Sequence, residues 1–180
     1  GNDAVAENRA ALLALSILLG SRRLENLTGD VRGSRSDCDG VGRGVTVAGR
    51  NDLRQHFVIS AALEVLSDAG VSFAIGEFKE LTDSGRGGSG FSFVDLATDR
   101  AGLEFAELAL SASGARTVQR HASALRKAPF FFPSTAGLEE GLSAAQFENA
   151  YGSVESAAYV AKVKDIDARI ARTPLFNAAR

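Results

Sequence analysis

Apolar residues recur every three to four positions through most of this chain, and nowhere do they alternate with polar residues over the length of a strand. This periodicity constrains the fold most. A repeat of 3.6 lines up one apolar stripe on a helix, whereas a half-buried strand needs a repeat of two. Val45-Thr46-Val47 is the one short β-like piece. The pattern predicts an all-α fold over residues 1–180: a single-domain bundle of about six or seven helices, with a long irregular segment at 20–50.

Helix boundaries follow from caps and breakers. Residues 4–19 predict a helix that is apolar nearly all round, with Leu12, Leu15 and Leu19 among its residues, and so well buried. Gly20 stops it. Residues 20–50 are rich in Gly, Arg, Ser and Asp and lack periodicity. Asn51 or Asp52 caps a helix to about Asp68, and Ser72 caps another over 73–82. Ser84 to Gly90 is a Gly-rich connector. Ser92, with Asp95 three residues on, opens a long helix ending near Ser111. Gly114 breaks it, and a shorter helix follows over 116–127. Residues 128–133, Ala-Pro-Phe-Phe-Phe-Pro, predict a rigid aromatic linker whose phenylalanines plug the core. Ser143 with Gln146 forms a capping box opening a helix toward Tyr151. The last helix spans 153–171, with Pro174 beyond its stop. His121, on a polar helix, is expected to be solvated.

Composition removes several classes of function. The 20 basic and 22 acidic residues give a net charge of −2, against nucleic-acid binding, which needs a basic stripe to displace counterions. A hydrophobic content of 45% excludes a disordered chain. One cysteine, Cys38, excludes an internal disulfide framework and a Cys-rich zinc module. The longest apolar stretch, Ala10 to Leu19, is about half the ~20 residues needed to cross a bilayer, so no transmembrane span is expected. No Gly-x-Ser-x-Gly, His-Glu-x-x-His or Cys-x-x-Cys occurs, and the Gly-rich connector lacks a Gly-Lys-Ser/Thr ending. The chain starts Gly1-Asn2-Asp3 and has no Met. The expectation is a processed front, a removed signal peptide and an exported, periplasmic location; simple Met removal in the cytoplasm is the alternative.

One constellation carries chemistry. His56 lies early in its helix. Glu77, Glu80 and Asp83 share one side of the next, within an arc of about 120°. Asp95 and Asp99 stack on one stripe of the long helix, which Gly102 continues, letting another helix approach closely. Helices joined by a short connector pack antiparallel, so these carboxylates converge on His56. Carboxylates so gathered need a cation, a shared proton or a basic partner, for which Lys79, Arg86 and Arg100 compete. His56, Glu77, Glu80, Asp83, Asp95 and Asp99 are therefore the candidate catalytic cluster for general acid/base hydrolysis. His56, Glu80, Asp95 and Asp99 are the candidate ligands of a divalent cation. The competing expectation is a non-enzymatic helical module that binds a protein partner or the cell envelope, its charges forming a salt-bridge network.

The order His, Glu-x-x-Glu-x-x-Asp, a loop, then Ser-x-x-Asp-x-x-x-Asp-x-x-Gly resembles the VanZ-like membrane family and the YfiM-like bacterial lipoproteins over residues 52–105. The matching positions are His56, Glu77 or Glu80, Asp83, Asp95, Asp99 and Gly102. The resemblance implies a bacterial protein in which these residues belong together. It departs in that those families embed the helices in membrane, whereas these are short and polar.

Overall fold

The computed structural model describes residues 3–21, 24, 42–66 and 90–179, and there the chain is an all-α bundle. α1 (Ala4–Leu15) is capped by the Asp3 carboxylate, which accepts from the Val5 and Ala6 amides. It runs into a π-helical turn, Ser16–Gly20. α2 covers residues 51–66. α3 (Phe93–Leu110) starts at Ser92, whose hydroxyl accepts from the Asp95 amide at 2.9 Å, as expected. α4 (Ala115–Arg120), a 3-10 turn Ala124–Arg126, α5 (Ala128–Phe131), α6 (Ala144–Tyr151), α7 (Ala157–Ala171) and α8 (Pro174–Ala178) follow. Both bonds of the expected capping box at Ser143 and Gln146 are present. Extended pairing among the described residues amounts to two isolated bridges, Val47 with Arg50 and Phe91 with Leu142. The expected helix at 73–82, the connector up to Ser89 and Cys38 lie outside the described residues.

Pro174 lies beyond the stop of α7, as expected, while Pro129 differs from the expected linker. Pro129 and Pro174 each sit in the first turn of a short helix, α5 and α8, where a missing N–H costs nothing and a fixed φ is already helical. The expected aromatic linker is thus one helical turn. Its phenylalanines do pack inward: Phe132 is buried, and Phe131 meets Phe57 with ring centroids 5.3 Å apart. The helix expected over 116–127 is split after Arg120. His121 Nδ1 lies 2.9 Å from the Thr117 carbonyl and its ring stacks on Phe130, so it is held rather than solvated. Nor is the apolar girth of α1 fully covered. Leu12 and Ile17 are buried, but Leu15 is 45% exposed.

α3 is the central element. Phe93, Ala101 and Ala106 on it are fully buried, and it packs against α1, α4 and α7. Burying a side chain such as Phe93 contributes about 1.5–3 kcal/mol. Asn8 of α1 is itself buried and donates to the carbonyls of Ala109 and Ala115, joining the end of α3 to the start of α4. Ser16 stands 2.7 Å from the Leu12 carbonyl and 2.8 Å from that of Val58, so its one proton ties α1 to α2.

Two close approaches position the polar site. A Cβ on Gly102 would fall 2.3 Å from the Phe57 carbonyl oxygen, so glycine lets the α3 backbone touch that of α2. At the start of α3, Phe91 pairs with Leu142 and the Phe93 amide donates to the Glu139 carbonyl at 2.8 Å. This lays the strap 138–142 beside the first turn of α3.

Candidate functional site

Asp52, His56 and Ser60 are spaced by four, so they form one stripe along α2. The Gly102 contact sets this stripe against the Asp95–Asp99 stripe of α3. His56 Nδ1 is 3.0 Å from Asp99 Oδ1, and the Ser60 hydroxyl donates to the same oxygen at 2.8 Å. On its other side, His56 Nε2 is 3.9 Å from Asp95 Oδ1. That oxygen is buried and has no hydrogen-bond partner among the described residues. The site remains open: the His56 side chain is 39% exposed and that of Asp95 27%.

A second layer of charge comes from Arg50 and the strap. Arg50 donates to Glu140 Oε2 at 2.8 Å and to Asp52 Oδ1 at 3.2 Å, clamping two carboxylates with one guanidinium. Asp52, Asp95 and Glu140 each offer an oxygen within 4.8 Å of the others. Arg50 therefore stands where three carboxylates converge and compensates two of them.

Titration follows from this geometry. The hydrogen bond to Asp99 raises the His56 pKa above its ordinary 6.5; burial opposes it, and the charges of Asp99, Asp95 and Asp52 add to it. Burial raises the Asp95 carboxyl, and the nearby His56 counteracts only part of this. Hydrogen bonds from Arg50 hold Asp52 and Glu140 below the usual carboxylate range.

Of the six residues expected in the cluster, the structure brings His56, Asp95 and Asp99 together, while Glu77, Glu80 and Asp83 lie outside the described residues. Arg100 does not take up Asp99: its Nε binds Asp167 of α7 at 2.6 Å. Of the four expected metal ligands, Asp95 alone belongs to the group Asp52, Asp95 and Glu140, and Glu80 is outside the described residues. Asp52 and Ser60 were legible as the i−4 and i+4 neighbours of His56. Arg50 and Glu140 were not, because strap and helix meet only through tertiary packing.

No family model, curated protein or solved structure matches the chain significantly.

Proposed function

We propose that His56, Asp99 and Asp95 form a proton-transfer site for general acid/base hydrolysis. One observation supports this most: His56 Nε2 faces the unpartnered Asp95 oxygen across 3.9 Å. Asp99 receives the Ser60 hydroxyl and the imidazole on one oxygen, so it acts as an acceptor and Nδ1 carries the hydrogen. When His56 is neutral, Nε2 is then the lone-pair nitrogen, held in place by Asp99 as an orienting carboxylate. A water hydrogen-bonded to the exposed His56 Nε2 lies beside Asp95, whose charge favours the imidazolium that forms. His56 takes its proton as the water oxygen bonds to an electrophilic centre, and returns it to the leaving group as that bond breaks.

The test is a nitrogen NMR titration of His56 combined with hydrolysis of para-nitrophenyl esters and phosphoesters. The expected result is a raised His56 pKa, protonation on Nε2, and turnover that rises with pH through that pKa. His56→Gln is expected to lose about a hundredfold or more. No turnover above the His56→Gln background on any ester would overturn the hydrolytic reading.

A divalent cation is the second reading, favoured by the convergence of Asp52, Asp95 and Glu140. Exposed carboxylates also gather without a metal, and Arg50 already neutralises two of these. Titration with Mn²⁺ decides it: a bound ion that raises Tm and is lost in Asp95→Asn supports the cation, and neither binding nor a change in Tm removes it.

A further inference from the structure

The opposite side of α2 lines a cavity of about 550 Å³, walled by Leu12, Leu19, Phe57, Val58, Phe105 and Phe131. This lies within the 300–1,000 Å³ usual for small-molecule sites. Three features distinguish it from a packing gap. Leu15 and Val45, two of the few large hydrophobic residues exposed among the described ones, belong to its lining. The π-helical turn Ser16–Gly20 contributes Ser16 and Leu19 to it, and such turns recur at functional sites. Its only charged lining residues among those described are two arginines, Arg54 and Arg126. Arg54 Nε is buried without a hydrogen-bond partner among the described residues, although its Nη1 donates to the Val45 carbonyl at 3.2 Å. No carboxylate is paired with either arginine among the described residues. An apolar space with unneutralised guanidinium charge is complementary to an apolar tail carrying an anionic head.

We infer that this cavity binds a free long-chain monocarboxylate of the fatty-acid class, its chain among the leucines and phenylalanines and its carboxylate on Arg54 and Arg126. A guanidinium offers a carboxylate two parallel N–H donors, and both arginines belong to the lining. The proposal stands apart from the His56 site and does not depend on hydrolysis there.

Calorimetric titration of the full chain with dodecanoate below its micelle concentration tests it. The expected result is one dodecanoate per chain, with dodecyltrimethylammonium at least about tenfold weaker and butanoate too short to bind. Arg126 is exposed, so Arg126→Gln leaves the fold intact and is expected to weaken dodecanoate about tenfold while leaving the His56 titration unchanged. Arg54→Lys, which keeps the charge but loses the planar fork, is expected to weaken it less than Arg54→Gln. Equal affinity for the anionic and cationic chains would overturn the inference. So would binding indifferent to Arg126→Gln, or a concentration-dependent dimer that closes the cavity with a second copy of the chain.

Discussion

The two sides of α2 differ in how they handle charge. On one side, His56 and Ser60 meet the carboxylate of Asp99, and Asp52 meets Arg50. On the other, Arg54 faces an apolar cavity with one buried nitrogen unpartnered. The polar side is largely satisfied within the protein, and the orphan oxygen of Asp95 marks where it is not. The apolar side leaves the Arg54 Nε without a partner among the described residues. A helix thus carries two chemistries when residues four apart face one neighbour and those between them face another.

The contact at Gly102 supports both sides, so its disruption has the largest expected effect. Gly102→Val places a branched side chain where a single Cβ already lies 2.3 Å from the Phe57 carbonyl oxygen. Separating the backbones should cost about 3 kcal/mol in urea unfolding. The His56 pKa should fall towards its ordinary value, and Phe57 should shift in the cavity wall. Loss of stability with an unchanged His56 titration would show that the two sides do not share this fulcrum.

Asp99→Asn separates the sides. It should remove the main cause of the raised His56 pKa and cost about 1 kcal/mol, with no effect on the cavity. The pH dependence has a definite sign. His56 binds its proton more tightly folded than unfolded, so its stabilisation is complete below the unfolded pKa of 6.5 and is lost as pH rises through the folded one. Wild type and Asp99→Asn should therefore differ most at mildly acid pH, where His56 is charged, and less in alkali.

Much of this was legible in residue spacing. The caps at Ser92 and Ser143 and the Asp95–Asp99 stripe are local features, and local chemistry sets them, while Gly102 marked a close approach without naming Phe57 as its partner. The clamp of Arg50 on Glu140 joins residues 90 positions apart, which no periodicity records. Pro129 was read as part of a rigid linker, whereas at the first turn of a helix its fixed φ opens one, and position alone decides which. The exposure of Leu15 depends on what α1 packs against, which its own apolar girth does not reveal.

Arg50→Ala tests whether the second layer of charge matters to the first. The Arg50, Asp52 and Glu140 side chains are 38%, 51% and 41% exposed, so the clamp should be worth about 0.5 kcal/mol and shrink with added salt. Asp52 and Glu140 should then titrate at higher pH, having lost the hydrogen bonds that lower them. If the carboxylates are a cation site held shut by arginine, Mn²⁺ affinity should rise in this variant.

The smallest expected effect has the opposite sign. Asp95 has its pKa raised by burial, so folding favours its neutral form. Its contribution to stability is full below the unfolded pKa of 3.8 and is lost as pH rises through the folded value. At neutral pH the ionised carboxylate is then a net cost, and Asp95→Asn should gain a few tenths of a kcal/mol, while any turnover from the proposed hydrolysis should fall. Below pH 3.8 the two proteins should be equally stable. Urea unfolding at both pH values checks this. A loss of stability at neutral pH would mean that a cation beside Asp95, charged His56 or a metal, outweighs the cost of its burial. A gain would mark Asp95 as a carboxylate held for chemistry at the expense of the fold, the polar counterpart of the Arg54 Nε on the other side of α2, which has no partner among the described residues.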